Sequence, residues 1–378
     1  MIERRFVGAR VMTPEGWAET AVTVAEGVLS DDPAREVDLS GYDLLPGIVD
    51  AHGDGFERHM APRRGALRER DAGMWAVAQE LASCGITTAT LAQFWSWEGG
   101  MRGPEFAEEV FDSVSLVAPL VPVDLRLQLR LETHYLDSFA RAEEAIARYG
   151  IRYVVFNDHL PHERLEQGRK PQRLTGQALK SGRSPEAHLA LMTDLHAAGD
   201  RVPAALDELC ARLAAKGVIM GSHDDRTPVD RADWRARGVR VSEFPETLAA
   251  AEAAVTAGEP VVLGAPNVVR GASHAGNVAA AALIAAGCCD ALASDYHYPS
   301  PRRAALLLAG SGVCDFATAW GLVSSGPARV LGLTDRGRLE VGKRADLVVL
   351  DAASERVAAT ISGGRIRSMN GEVARPFP

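Results

Sequence analysis

The sequence lacks an excess of positive charge and any long apolar run, and each absence excludes a class of protein. The 378 residues carry a formal net charge of −9, which argues against general affinity for nucleic acid or anionic lipid. An anionic substrate must therefore meet a local basic pocket. No run approaches the roughly 20 apolar residues of a membrane span, and the opening residues lack the apolar core of a signal peptide. We expect a soluble, cytoplasmic protein that binds neither nucleic acid nor a membrane.

Cysteine is also scarce. The five cysteines are an odd number, include the adjacent pair Cys288 and Cys289, and show no Cys-x-x-Cys spacing of a zinc site. A disulfide scaffold is therefore excluded, and we expect reduced, buried thiols.

The middle of the chain predicts an α/β fold, a (β/α)₈ TIM barrel. Apolar runs rich in Val, Ile and Leu alternate with Ala-rich segments of helical length, which is typical of parallel strands joined by helices. The eight candidate strands read LLPGIVDA, ITTATLAQ, LRLQLRLE, RYVVFND, GVIMGSH, VRVSEF, PVVLGAP and DALASD. A closed barrel accommodates eight such strands in one large domain.

Both chain ends predict a small flanking β-sandwich. Short strands and turns fill residues 1–46 and recur in residues 326–378, where Asn370 and Gly371 form a hairpin signal. We therefore assign residues 1–46 and 326–378 to the sandwich and residues 47–325 to the barrel. The stretch from Arg164 to about Pro203 is too long for a simple connection, so it should contain helix and could form a lid.

Metal-binding residue types follow five of the eight candidate strands. The active site of such a barrel lies where its strands end. His52 and Asp54 are two residues apart, so in an extended segment they share one face and can close on one ion. Imidazole and carboxylate are ordinary ligands of Zn²⁺ or Mn²⁺. The predicted metal ligands are His52, Asp54, Glu132, His159, His223 and Asp295.

A single His or Asp after a strand is more often a cap or a satisfied polar group. Five such strand ends in one chain favour a divalent metal site. We expect one or two ions, with zinc as the first choice and manganese or iron as alternatives. His188 and His196, on an Ala-rich segment, are better explained as surface or lid residues, and the role of His162 stays open.

A second candidate site is the glycine-rich segment from Gly264 to Asn277. Glycine lets a backbone approach a ligand closely, and Arg270 offers a fork of donors that suits phosphate. An ordinary loop of turn residues is the alternative interpretation. A basic run that contains His59 and Arg63 follows the first two predicted metal ligands. The predicted substrate-binding residues are His59, Arg63, Asn267, Arg270, Ser273, His274 and Asn277.

Taken together, these motifs resemble the phosphonate-utilisation diphosphatases of the amidohydrolase superfamily. The motifs read LLPGIVDAHGDGFERHMAPR, SCGITTA, LRLE, NDHLPHER, SHDD, SEFPET, LGAPNVVRGASHAGNVAA, SDYHYPS and GKRADLVVL. SHDD and GAPNVVRGASHAGN are the most specific of them. The resemblance implies a barrel with a flanking β-sandwich. It also implies hydrolysis of alpha-D-ribose 1-methylphosphonate 5-triphosphate to the 5-phosphate and pyrophosphate in phosphonate catabolism.

The resemblance also implies a role for each ligand. All six predicted ligands would bind metal, Glu132 would be shared by two ions, and Asp295 would orient and deprotonate the attacking water.

The sequence departs from this pattern at several positions. The superfamily commonly begins with His-x-His, but Asp54 takes the second place here, and Gly55 stands where the family has Asn. His297 is inserted into the Tyr-Tyr-Pro segment. His159 and His223 follow the fourth and fifth candidate strands, one strand earlier than in the superfamily. Either a strand is miscounted or the site is rearranged.

Two rival functions remain open at this point. The first is a deacetylase or deaminase of the same superfamily, acting on a C–N bond, since fold does not fix substrate. The basic segment around Arg63 and Arg270 argues against it, because a neutral amide or nucleobase does not need one. The second rival is a noncatalytic scaffold, which the intact ligand set disfavours. We expect a small phosphorylated substrate, and the sequence also allows a homo-oligomer.

Overall fold

A computed structural model describes residues 1–61, 69–121, 123–271 and 279–377. The strands are β1 (Arg4–Val7), β2 (Arg10–Thr13), β3 (Gly16–Glu19), β4 (Val22–Ala25), β5 (Val28–Ser30), β6 (Arg35–Asp38), β7 (Tyr42–Pro46), β8 (Ile48–Gly53), β9 (Ile86–Trp95), β10 (Asp124–Glu132), β11 (Tyr153–Asn157), β12 (Ile219–His223), β13 (Val241–Glu243), β14 (Val261–Gly264), β15 (Ala291–Ala293), β16 (Leu347–Asp351), β17 (Val357–Ser362) and β18 (Arg365–Met369). The helices are α1 (Glu57–Met60), α2 (Arg70–Ser83), α3 (Pro104–Val117), α4 (Phe139–Arg148), α5 (His162–Glu166), α6 (Leu174–Ser181), α7 (Pro185–Ala197), α8 (Val202–Ala215), α9 (Pro228–Ala236), α10 (Leu248–Thr256), α11 (Ala265–Arg270), α12 (Ala280–Ala285), α13 (Ser300–Gly310), α14 (Phe316–Gly321) and α15 (Ser325–Val330).

The central sheet is a TIM-like barrel of eight parallel strands. Strands β8 to β15 lie side by side in chain order, and a parallel bridge between Gly53 and Asp295 joins the first strand to the last. The eight strands are the eight that the sequence predicts, so the fold class is confirmed. The early position of His159 and His223 is therefore not the result of a miscounted strand.

The first predicted strand is in fact two strands. LLPGIVDA divides at Gly47 into β7, in a terminal sheet, and β8, in the barrel. A Cβ at Gly47 would lie 2.3 Å from the hydroxyl oxygen of Thr87. Only glycine fits at this change of sheet, because the chain passes too close to its neighbour for a side chain.

Both chain ends form the flanking β-sandwich that the sequence predicts. One sheet has the order β5-β4-β1-β6, and the other has the order β18-β17-β16-β7-β2-β3. The two ends meet where β7 pairs antiparallel with β16. Phe6 and Val24 of the first sheet share one apolar cluster with Leu44, Val349 and Ile361 of the second. The domain boundaries after residues 46 and 325 stay a prediction.

The chain divides into two compact units. The terminal unit consists of Met1–Leu91, Leu116–Arg126 and Pro260–Pro378, and it contains both terminal sheets with β8, β14 and β15. The central unit consists of Ala92–Ser115 and Leu127–Glu259, and it contains β11, β12 and β13. Among the helices described for the chain, none is long and apolar enough to cross a membrane.

The long stretch after Arg164 is helical, as its length predicts. It contains α6 and α7 and leads into α8. Ser184 starts α7 by accepting a hydrogen bond from the backbone N–H of Ala187, and Pro185 occupies the first turn. Leu174 and Met192 pack with Trp97 and Leu160 in an apolar cluster of the central unit. Whether this segment acts as a lid stays a prediction.

A buried ion network holds α9 beneath the end of β12. The Arg231 guanidinium is completely buried and lies 3.1 Å from the Asp225 carboxylate and 2.8 Å from that of Glu259. It also donates a hydrogen bond to the hydroxyl of Ser222 at 2.6 Å. A buried charge is tolerated only when it is paired and hydrogen-bonded in this way.

Replacing this guanidinium should therefore destabilise the protein strongly. Arg231→Met keeps most of the apolar stem but leaves Asp225 without its buried cation, which should cost about 3–5 kcal/mol of the free energy of unfolding. Urea denaturation measures the change. Arg148→Met is the matched control, because its 3.4 Å pair with Asp112 is exposed and should contribute less than about 1 kcal/mol. Equal losses in both variants would contradict the assigned role of Arg231.

Candidate metal centre

Three predicted ligands meet in the terminal unit, at the point where the first barrel strand closes on the last. The backbone N–H of Asp295 donates to the carbonyl of His52 at 2.9 Å, and that of Asp54 donates to the carbonyl of Asp295 at 2.9 Å. Ligand atoms of His52, Asp54 and Asp295 all lie within 4.8 Å of one another. One imidazole and two carboxylates at this spacing fit a divalent ion of the zinc or manganese type.

Asp50, two residues before His52, is hydrogen-bonded to Ser294, the residue before Asp295. It is completely buried and accepts hydrogen bonds from the backbone N–H of Ser294 at 2.9 Å and from the Ser294 hydroxyl at 2.5 Å. Burial raises the pKa of Asp50 above its usual value, and the two hydrogen bonds oppose that shift. A Cβ at Gly53 would lie 2.7 Å from both the Asp50 carboxylate and the Ser294 hydroxyl, so glycine is required between the predicted ligands His52 and Asp54.

Several residues beyond the strand ends have a strained backbone. Asp224, Phe244 and Asp295 have φ angles of 62°, 53° and 54°, in the left-handed region that favours glycine. They follow β12, β13 and β15. A left-handed conformation costs roughly 1–2 kcal/mol for most other residues, such as Phe244, and is tolerated better by aspartate. Such strain concentrates at functional sites, which supports the carboxyl ends of the strands as the working face.

A second group of potential ligands lies in the central unit. Ligand atoms of Glu98, Glu132 and His159 lie within 4.8 Å of one another. The Nδ1 atom of His159 hydrogen-bonds with Glu132, whose other oxygen accepts the backbone N–H of His159 at 3.2 Å. Burial alone would lower the pKa of His159, but the charge and hydrogen bond of Glu132 raise it above the usual value. This donor set also fits a divalent ion.

Sequence reasoning missed Glu98 and Trp97. The Nε1–H of Trp97 donates to the Glu132 carboxylate at 3.2 Å, and Trp97 is almost completely buried. β9 ends at Trp95, beyond the predicted ITTATLAQ. Had the strand been extended to its true end, Glu98 would have shown the same signal as the other candidates, a carboxylate after an apolar strand.

His223 ends β12 as predicted, but its ring already has neighbours in the central unit. Its Nε2 lies 3.1 Å from an Arg130 nitrogen, and its Nδ1 lies 3.0 Å from the Asp224 carboxylate. The Arg130 guanidinium is held over the ring of Phe94, 3.9 Å from its centroid. A metal ion on His223 would therefore have to replace one of these two contacts.

Glu243, at the end of β13, was assigned no role from the sequence. It is completely buried and accepts hydrogen bonds from the Tyr153 hydroxyl at 2.6 Å and from the Gln128 amide at 2.8 Å. Burial and the Glu243 charge raise the pKa of Tyr153 well above its usual value. Glu243 carries the same sequence signal as the predicted ligands, and within the central unit it serves as a hydrogen-bond acceptor.

The strand ends of the central unit surround a cavity of about 720 Å³. Its wall contains side chains of both charges, among them His134, His159, His223, Asp224, Arg226 and Arg237. Each arginine has an acidic partner, because Arg226 lies 2.6 Å from Glu246 and Arg237 lies 2.7 Å from Asp207. The cavity can therefore admit a polar ligand, although its wall is not uniformly cationic.

The glycine-rich segment from Gly264 to Asn277 is not a loop throughout, and its role in substrate binding stays a prediction. Residues 265–270 form the helix α11, because Pro266 suits the first turn of a helix and Gly271, with φ 74°, ends it. Arg270 lies exposed in the last turn of this helix, and Asn267 is half-buried within it. The predicted residues Arg63, Ser273, His274 and Asn277 lie outside the described residues.

Two other histidines have specific partners. His59, a predicted substrate-binding residue, lies on α1 with its Nε2 2.6 Å from the Glu80 carboxylate. The sequence interprets His188 as a surface or lid residue. The surface position is wrong, since His188 is completely buried with its ring centroid 5.7 Å from that of Trp97, and the lid role stays a prediction.

Comparison with known proteins agrees with this architecture. The model of the amidohydrolase family matches residues 132–367. The chain is 32% identical over 319 residues to alpha-D-ribose 1-methylphosphonate 5-triphosphate diphosphatase of Escherichia coli (strain K12), and the match covers 83% of this chain and 84% of that protein. The chain therefore belongs to the amidohydrolase family and is a hydrolase. Its resemblance to the phosphonate-utilisation diphosphatases is confirmed.

Solved structures show the same fold at low identity. N-acetylglucosamine-6-phosphate deacetylase from Pasteurella multocida is 12% identical with a TM-score of 0.64, and the match covers 98% of this chain and all of that one. A zinc-bound adenosine deaminase from Xanthomonas campestris is 16% identical with a TM-score of 0.55, and the match covers 97% of this chain and 93% of that one. At this identity the two structures support the fold alone.

The hydrogen bond from Trp97 gives a test of the central-unit group. Trp97→Phe removes the donor to Glu132 but keeps an aromatic ring, so we expect metal affinity to fall roughly 10–100-fold, as when other outer partners of ligands are lost. Trp95→Phe is the matched control, because Trp95 is equally buried and its indole nitrogen has no hydrogen bond among the described residues. Zinc titration against a competing chelator measures both affinities. Identical affinities would exclude Trp97 as a support of a metal ligand.

Proposed function

We propose that this hydrolase cleaves alpha-D-ribose 1-methylphosphonate 5-triphosphate to the 5-phosphate and pyrophosphate, as a metal-dependent diphosphatase of phosphonate catabolism. The observation that carries the proposal is the meeting of His52, Asp54 and Asp295 within 4.8 Å at the closure of the barrel. The substrate is supported by the name of the E. coli relative, which is 32% identical over 319 residues.

The proposed metal ligands are those that the sequence predicts, namely His52, Asp54, Glu132, His159, His223 and Asp295. The imidazole and carboxylate donors suit zinc, and one or two ions would be held. A divalent ion at such a site supplies charge to a phosphoryl oxygen and lowers the pKa of water towards neutrality.

Asp295 acts as the general base in this mechanism. Its backbone is fixed on both sides by hydrogen bonds to His52 and Asp54, so its carboxylate is held at a defined position beyond β15. There it can align the attacking water and accept its proton while the bond to pyrophosphate breaks. The phosphoryl transition state needs charge neutralisation more than covalent chemistry. We assign that task to Arg270 and Arg63, with His59, Asn267, Ser273, His274 and Asn277 as further contacts.

Product analysis tests the proposal directly. The purified protein, loaded with Zn²⁺ or Mn²⁺, is incubated with ribose methylphosphonate triphosphate, and the products are followed by ³¹P NMR. We expect pyrophosphate and the 5-phosphate without orthophosphate, and loss of turnover after chelation. ATP serves as the comparison substrate. Orthophosphate as the first product, or hydrolysis of an N-acetyl amide or deamination of adenosine without any pyrophosphate, would refute the assignment.

The role of Asp295 is tested by Asp295→Asn, which keeps the shape of the side chain and removes its basicity. We expect kcat to fall about 10²–10⁴-fold, the usual contribution of a general base, with little change in KM. Metal content is measured in parallel to separate loss of the base from loss of a ligand. Asp290→Asn, at the opposite end of the same strand, is the control and should keep its kcat. If the Asp295→Asn variant is folded and metallated and stays within about threefold of the wild-type kcat, the mechanism is contradicted.

A further inference from the structure

A cluster of three histidines and one aspartate in the central unit contains none of the six proposed ligands. His134 lies just beyond β10, Asp158 follows β11, His162 begins α5, and His196 lies in the last turn of α7. Sequence reasoning left His162 open and interpreted His196 as a surface or lid residue. The fold instead brings all four side chains together.

The spacing within this cluster is that of ligands around one ion. The Nε2 of His162 lies 3.0 Å from Asp158 Oδ2, and the Nδ1 of His134 lies 3.5 Å from Asp158 Oδ1. One ligand atom from each of the three residues lies within 4.8 Å of the others. Two ligands about 2.0–2.1 Å from a zinc ion, at tetrahedral angles, lie roughly 3.3 Å apart. The two observed separations, each measured to a different oxygen of Asp158, fall on either side of that value.

The ligand atoms are also held in position by neighbours. The Nδ1 atoms of His162 and His196 are 2.7 Å apart, so His162 can carry its proton on Nδ1 and donate it to His196, which leaves the Nε2 lone pair of His162 available for an ion. The Asp158 carboxylate accepts the backbone N–H of Leu160 at 3.1 Å, which fixes its orientation. The Thr133 hydroxyl lies 3.1 Å from His134 Nδ1 and can rotate away when an ion binds.

The cluster is accessible and selective. The side chains of Asp158 and His162 are 39% and 32% exposed, and both line the cavity of the central unit. An ion can therefore enter, and its fourth position would face the cavity. Two imidazoles among three ligands disfavour Mg²⁺ and Ca²⁺, which take oxygen ligands, and favour transition metals such as Zn²⁺.

We propose that His134, Asp158 and His162 form a separate site for a divalent transition-metal ion of the zinc type. His196 is its positioning residue, because it acts through the ring of His162. The ion ties the start of α5 and the end of α7 to the ends of β10 and β11, and so fastens the helical segment to the barrel strands. This site does not depend on the diphosphatase proposal.

Metal stoichiometry tests the site without any measurement of activity. Metal-stripped protein is dialysed against Zn²⁺, and bound zinc per chain is determined for the wild type and for His162→Gln and His134→Gln. We expect each variant to bind one ion fewer than the wild type. His196→Gln should keep the ion with an affinity about 10–100-fold lower, as expected for loss of an outer partner. His297→Gln is the matched control, because its imidazole is bonded to Ser300 at 2.7 Å and belongs to none of the described ligand groups.

Two further measurements support the stoichiometry. Co²⁺ in place of Zn²⁺ should give a visible absorption band that is stronger in the wild type than in His162→Gln, and Mg²⁺ should not displace it. Zinc should also raise the Tm of the wild type more than that of the variant. Circular dichroism shows whether each variant is folded. If His162→Gln is unfolded, the comparison is made with His134→Gln instead. Equal zinc content in the wild type and a folded variant would show that the cluster is a hydrogen-bond network without a bound ion, and would overturn the proposal.

Discussion

The structure of the terminal unit depends on the closure of β8 against the end of β15. The backbone N–H of Asp295 donates to the carbonyl of His52, and the carbonyl of Asp295 accepts the N–H of Asp54. One residue beyond the last strand therefore lies between two predicted ligands at the end of the first. Asp50 and Ser294, which precede these residues in the chain, are also hydrogen-bonded to each other. Because closure of the sheet and the meeting of the three predicted ligands use the same residues, this group cannot form in a barrel that stays open.

The strand ends of the central unit bury several carboxylates. An apolar core tolerates buried charges only when they are paired or hydrogen-bonded. Each buried carboxylate has its own donors. Glu132 accepts from Trp97 and His159, Glu243 accepts from Tyr153, and Asp225 is paired with Arg231. These fixed contacts restrict the side chains to one arrangement, which is the condition for holding an ion at defined distances.

The sequence predicts the eight strands and the placement of polar residues at their ends, because hydrophobic runs and their boundaries are local signals. It does not predict which of those side chains meet. Glu98 was missed because β9 continues past its most apolar part to Trp95. Pro266 and Gly271 are turn residues as well as helix-end residues, so the sequence does not distinguish the helix α11 from a loop, and only the three-dimensional structure separates the two roles.

The strand-end donors belong to a fold that deacetylases and deaminases also adopt, so they cannot select the substrate by themselves. In a chain of net charge −9, the proposed phosphorylated substrate would have to be selected by cations that are not already neutralised. Arg226 and Arg237 at the cavity are committed to Glu246 and Asp207. Arg270, in contrast, is exposed and forms no ion pair within the part of the chain that the structure describes. Among the described residues, the Arg270 guanidinium can therefore approach a phosphate without breaking an ion pair, which is why the proposed function assigns charge neutralisation to it.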